Sequence, residues 1–511
     1  MRRQTQYGKE SDKQNKKPGY AGTKLGTSLD ANVQLFKQIF TNDETLTIRF
    51  FENQQEPLIK CCVLFIDGMI DEKIVDENII QPIMQNTELS SSDDIISRLD
   101  AQVVFLNKTQ RTQDMDLLSM AIVEGETVLL IEGSQDGLIL STKGFASRQI
   151  EEPQSERVNR GPREGFVESI TENLTMIRRR LKTPALKMKF LTIGAQTNTN
   201  VCICYIEGIV NQKILDELYR RLDRLHPDGI MDSEYLKEMI RDSPLSPFET
   251  IRDTERPDTA AGKLLEGRIA LLVDGSPVVL LLPYVFYEIF QVIEDYYLNF
   301  YFASIGRILR LLSFFITVSV PAIYLALVTY HQETIPTPLL LSISAARQGV
   351  PFPTIIEVSL MLIVFEILRE TGVRMPYYIG QALSIVGALV LGTASVDARI
   401  VSAPIVIVIS ITAITGLSIP GIKSAVISLR LIFLMLAAFL GLYGYLFGIM
   451  GLLLHLCNMR SFGVPYMLDL TTLNASDLKD TAIRAPYWML DFRPRFITNN
   501  RLKQRVRGRR K

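Results

Sequence analysis

Charge stops abruptly along this chain. Residues 311–330, LLSFFITVSVPAIYLALVTY, carry no formal charge, and from 401 to 459 the only charged side chains are Lys423 and Arg430. A bilayer's hydrocarbon core, ~30 Å thick, takes about 20 helical residues, and these stretches meet that length. Upstream of residue 300 charged and apolar residues are mixed as in a water-soluble domain. The overall balance of 55 basic against 55 acidic residues hides this division. The pattern implies an α/β N-terminal cytoplasmic domain followed by an all-α polytopic membrane domain.

The first 24 residues, MRRQTQYGKESDKQNKKPGYAGTK, are polar and basic without an apolar core. They read as a disordered tail rather than a secretory signal, so the domain that follows is expected to stay in the cytoplasm. The expected boundaries are a tail over 1–29, α/β subdomains over 30–150 and 151–290, a membrane domain of four to five apolar helices over 291–460, and a basic cytoplasmic tail over 461–511. Five cysteines suit a reducing compartment. Cys61, Cys62, Cys202 and Cys204 lie in apolar runs without zinc spacing, which reads as buried, unreactive thiols.

The two α/β subdomains are duplicates. CCVLFIDGMIDEKIVDE (61–77) aligns without gaps on VCICYIEGIVNQKILDE (201–217), with seven of 17 positions identical. EGETVLLIEGSQDGLIL (124–140) aligns on EGRIALLVDGSPVVLLL (266–282) at nearly the same offset. Two blocks in one order at one spacing mark a repeat. The first block reads as a buried strand, an acid-Gly turn and a helix, the second as a hairpin; 212–225 reads as a helix. Asp67, Glu207, Glu132 and Asp274 sit beside glycines at strand ends, where capping a turn is their expected work.

Five apolar stretches follow, at 308–330, 354–370, 379–396, 400–419 and 424–456. The last exceeds one span, and its glycines allow close packing or a break. Nine Lys or Arg in the final 19 residues mark a cytoplasmic flank able to hold anionic headgroups. With both termini cytoplasmic the number of spans is even, so one stretch does not cross or the long one crosses twice. Residues 285–309, rich in Tyr and Phe, read as an amphipathic helix at the membrane surface.

The stretch at 354–370 carries acids. At 100° per residue Ser359 and Glu366 nearly coincide, with Ile363 and Glu370 close by, which makes a polar stripe on an apolar cylinder. Glu357 falls in the first turn, where the helix dipole favours a carboxylate near the headgroups. Three readings of Glu366 stay open. It faces an aqueous pore, it pairs with Arg369, Arg374 or Arg430, or the helix lies at the interface with Glu366 and Glu370 in water.

Several long segments resemble one known family: GPREGFVESITENLTMIRRRLKTPALK (161–187), PYVFYEIFQVIEDYY (283–297), PFPTIIEVSLMLIVFEILRETGVRMP (351–376) and AITGLSIPG (413–421). Over residues 30 to 490 the chain is similar to A subunits of spore germinant receptors, the GerA family of endospore-forming bacteria. The resemblance implies a multi-pass protein of the spore inner membrane, acting with a permease-like B subunit and a lipoprotein C subunit in the response to small nutrients. It also implies an oligomer that releases monovalent cations, with Ser359, Ile363, Glu366 and Glu370 lining the pore. Neither a cofactor nor nucleic acid is expected. A solute transporter and a non-conducting signalling scaffold are the alternatives. An enzyme is not expected: three histidines, at 226, 331 and 455, assemble no nucleophile–base pattern.

Overall fold

The computed structural model of the chain describes residues 23–54, 58–85, 109–144, 153, 156–375, 387, 390–468, 480, 481, 483–489, 493, 494 and 496–498. Most of the apolar stretch at 379–396 and of both tails lies outside these residues. The described residues form two units: those of 1–240, 251–283 and 493–501, and those of 241–250, 284–492 and 502–511.

In the first unit the repeat becomes two antiparallel sheets. Strands β1 (Leu46–Glu52), β2 (Lys60–Ile66), β3 (Thr109–Thr112), β4 (Thr127–Ile131) and β5 (Gly137–Leu140) run in the order β1-β2-β4-β5-β3. Strands β6 (Leu186–Ile193), β7 (Thr199–Ile206), β8 (Arg252–Thr254), β9 (Ile269–Val273) and β10 (Val279–Leu282) repeat it as β6-β7-β9-β10-β8. β2 is apolar from Cys61 to Ile66 because both its faces are covered there. Cys62, Leu64 and Ile66 pack with the helices Leu29–Ile39 and Met115–Val123, and Cys61, Val63 and Phe65 pack with Ile79 and Ile83 on the other face. Gly68 and Gly208 end the equivalent strands β2 and β7 at φ 75° and 78°, the left-handed region that glycine enters freely.

The repeated hairpin acids cap helices rather than their own turns. Glu132, at the β4–β5 turn, accepts the backbone N–H of Leu29 at 2.8 Å, and Asp274, at the β9–β10 turn, accepts that of Ile170 at 3.2 Å. Each thereby satisfies an orphan donor at the start of the helix lying on its sheet, Leu29–Ile39 or Ile170–Arg180. Asn32 and Asn173 form a second matched pair, each holding the segment before its helix through one accepted and one donated bond.

The halves meet through a buried ion pair. Arg178 donates to Asp43 at 2.8 Å and to Thr45 at 3.0 Å, with both charged side chains sealed from solvent. Lys187 donates to the Ile39 carbonyl at 3.0 Å, and the Glu44 N–H to the Met188 carbonyl at 3.0 Å.

The second unit is helical: α1 (Phe300–Tyr330), α2 (Thr337–Arg347), α3 (Thr354–Arg374), α4 (Ala403–Leu417) and α5 (Lys423–Asn458). Among the described residues α1 and α5 are long and apolar enough to cross a membrane. α5 is not one rod. Gly441 takes φ 62° and ψ −141°, and the Phe433 and Tyr445 rings stand 5.7 Å apart. Twelve residues of straight helix would separate them by ~18 Å, so the chain doubles back at Gly441. Buried Gly444 and Gly448 let the returning limb lie against Phe433 and Leu436. Residues 285–309 do not make one surface helix. They form two short 3-10 turns, Phe286–Phe290 and Ile293–Tyr296, and then enter α1, whose start is capped by Asn299 accepting the Tyr301 N–H. Residues 241–250 belong to this unit: Ser246 bonds His455 at 2.9 Å, and Phe248 packs on Phe286 and Tyr466.

Two outcomes are expected from the first unit. Arg178→Met leaves the Asp43 charge without its counter-ion in the interior, at about 3–5 kcal/mol, whereas Arg178→Met with Asp43→Leu recovers most of that loss. Thermal unfolding of the two variants checks this, and an unchanged Tm in the single variant would count against it. Burial pushes the Cys61 and Cys62 thiols up to about 12 and raises Cys202 as well. Thiolate is therefore scarce at pH 8, and iodoacetamide should label Cys457, which is exposed, while Cys61, Cys62 and Cys202 react only after denaturation.

Candidate functional site

The acids of α3 are all engaged. Pro353 precedes the helix with an extended backbone and needs no N–H there. Glu357, in the first turn, is fully buried. One carboxylate oxygen accepts the Ser402 N–H at 2.9 Å, and the other faces Arg347 at 3.7 Å. Arg347 ends α2 and Ser402 begins α4, so one carboxylate gathers three helix ends. The sequence pattern placed Glu357 near the headgroups. Its dipole position holds, but its partners lie inside the unit, and a backbone N–H 45 residues away leaves no mark in a sequence.

Further along α3, each acid is shared by two cations. Glu366 accepts Arg430 of α5 at 2.5 Å and lies 2.8 Å from Arg369, one turn on in its own helix. Glu370 accepts Arg374 at 2.9 Å, and Lys423 of α5 stands 3.8 Å away. The Glu370–Arg374 pair, four apart, lets the helix run on to Arg374, past the end of the apolar pattern at 370. The guanidinium of Arg369 also lies over the Phe365 ring at 5.9 Å.

Ile363, Glu366 and Glu370 line one open groove between α3 and α5, about 450 Å³ in volume, together with Ile367, Ile427 and Leu431. Ser359 stands outside that lining and is half-buried. Lys423 is the partner that sequence reasoning passed over. The available signal was spacing: Glu366 and Glu370 are one turn apart, and Lys423 and Arg430 are two turns apart on one face of α5, which matches two antiparallel helices.

A second cluster surrounds the start of α1. Buried Arg307 donates to Asp295 at 3.0 Å and to Asp480 at 2.9 Å, and Arg310 donates to Asp295 at 2.6 Å. The Tyr296 ring lies between Arg307 and Arg484, 5.5 and 5.4 Å from their guanidinium carbons. Among the described residues no group of three or more His, Cys, Asp or Glu side chains could hold a metal ion.

A sheet-rich α/β unit in series with a helical unit carrying two apolar helices of membrane-spanning length defines the class of protein. The sequence model of the Bacillus/Clostridium GerA spore germination proteins matches residues 34–496, and the chain belongs to that family. Spore germination protein KA of Bacillus subtilis (strain 168) is 39% identical over 476 residues, 93% of this chain and 87% of that one. The uncharacterized membrane protein YfkQ of the same strain is 40% identical over 435 residues, 84% of each. The crystal structure of the N-terminal domain of the A subunit of the Bacillus megaterium spore germinant receptor GerK3 aligns with 52% of this chain and 98% of that one, at 30% identity and a TM-score of 0.42. The resemblance read from the four quoted segments is thus a family membership.

The Glu357 contacts give a direct expectation. Glu357→Ala strands the Ser402 N–H in the interior and costs about 1–3 kcal/mol, whereas Glu357→Gln keeps an acceptor there and costs less. Thermal unfolding of the detergent-solubilised chain separates the two; equal melting of both variants and the wild type would remove the carboxylate from the packing of the three helix ends.

Proposed function

We propose that this chain is an A-type subunit of a nutrient germinant receptor in the inner membrane of the dormant spore. It is required for the response to small nutrients and catalyses no reaction. The observation that carries the reading is the family match over 34–496, which spans both units. The chain works beside a permease-like subunit and a lipoprotein subunit, with its termini on the cytoplasmic side. α1, α5 and the helices between them lie in the membrane, and several copies assemble around a cation path that α3 lines through Ser359, Ile363, Glu366 and Glu370.

One observation favours a second reading, a signalling scaffold that does not conduct. Glu366 is already neutralised by Arg430 and Arg369, so as it stands it offers a passing cation little attraction. Conduction through this stripe requires Arg430 to let go.

Spores lacking the gene should fail to lose optical density when given the nutrient that triggers the wild type, and the restored gene should return the response. Normal germination without the gene would overturn the receptor reading. In planar bilayers holding the complete receptor, Glu366→Gln should change cation selectivity while assembly persists. Currents identical to the wild type, or none from either, would favour the scaffold.

A further inference from the structure

We propose that the groove between α3 and α5 binds an anionic phospholipid, with an acyl chain along Ile363, Ile367, Ile427 and Leu431 and the phosphate at Lys423 and Arg374. The inference rests on the membrane reading above in its non-conducting form, because an acyl chain along Ile363 leaves no aqueous path on that face of α3, and it goes beyond that reading by naming a ligand.

Two observations carry it. The first is the groove's shape and lining. Its ~450 Å³ falls within the ~300–1,000 Å³ range of small-molecule sites, and the packing leaves Ile363, Ile367 and Leu431 each about 60% exposed. Such a wall suits a hydrocarbon chain. The second is charge. Four cations, Arg369, Arg374, Lys423 and Arg430, share two carboxylates, Glu366 and Glu370, which leaves 4 − 2 = 2 positive charges uncompensated. Excess charge against an apolar surface is costly unless a counter-charge joins it.

The cations are not equivalent. Arg430 and Arg369 are committed to Glu366 inside the unit. Arg374 is largely exposed, and Lys423 stands 3.8 Å from Glu370, beyond hydrogen-bond length, so both keep donors for a ligand at the groove's end. A phosphodiester carries the one negative charge by which Glu370 falls short of the two cations Arg374 and Lys423. A zwitterionic choline lipid would bring its own cation towards Lys423 and Arg374 and is disfavoured.

The test uses the full-length chain, solubilised from membranes and mixed with equal amounts of phosphatidylglycerol and phosphatidylcholine bearing the same acyl chains. Native mass spectrometry reads the adducts. One phosphatidylglycerol should dominate, and Arg374→Gln with Lys423→Gln should weaken its retention roughly thirtyfold, as expected for two lost headgroup contacts. Ile367→Trp, which fills the groove and leaves the charges in place, should also lose that lipid; the basic C-terminal tail, unchanged in this variant, would not explain the loss. Equal retention of both lipids, or wild-type retention in these variants, overturns the site. Displacement by excess inorganic phosphate overturns the lipid assignment in favour of a bare anion site. A chain that alkaline carbonate strips from membranes sinks the membrane reading and this proposal together, whereas a membrane-held chain without lipid preference sinks this proposal alone.

Discussion

A charged side chain stays inside an apolar helical unit only where its opposite stands beside it, and that constraint organises the second unit. Arg307 is buried at the start of α1 because Asp295 and Asp480 reach it, and in reaching it they fix residues far apart in the chain. Glu357 draws three helix ends to one carboxylate by the same logic. Arginine suits these positions, since its planar guanidinium spreads several donors over more than one acceptor. Each such pair contributes little net stability once desolvation is counted, but breaking one leaves a bare charge. The pairs therefore specify which helix meets which more than they strengthen the packing.

The α/β unit solves a different problem. Two halves with one strand order would form open-ended stacks if each offered the same contact surface. The Asp43–Arg178 pair has no counterpart at the repeat spacing, where Thr183 and Lys37 stand instead. The contact is consequently used once. The hairpin acids and the asparagines kept their roles in both copies, while the residues at the junction diverged.

The sequence displayed the repeat because strands covered on both faces must be apolar throughout, and Cys62/Cys202 and Ile66/Ile206 preserve that need. It displayed the apolar helices for the same reason, and in AITGLSIPG and the acid-bearing segment it carried the family. What it hid were partners. The bond from the Ser402 N–H to Glu357 involves a backbone group, which has no residue type. α2 leaves little trace in the sequence because it is short and weakly patterned. The reversal at Gly441 was legible only as a possibility, since glycine allows a turn without requiring one. The surface helix expected over 285–309 gave way to 3-10 turns, where Asp295 serves Arg307 and Arg310 in place of solvent.

The capping of Leu29 by Glu132 bears on the order in which the protein can be made. A helix start that waits for an acceptor 103 residues downstream gains that bond only after the β4–β5 hairpin has left the ribosome. The second copy waits through a nearly equal length, from Ile170 to Asp274. Contacts of such separation slow folding, because a long loop must close before they reward it. The first half is thus completed by its own last hairpin and can be finished before translation reaches the apolar helices, whereas the second also waits for the far C-terminal segment, where Thr498 bridges Val210.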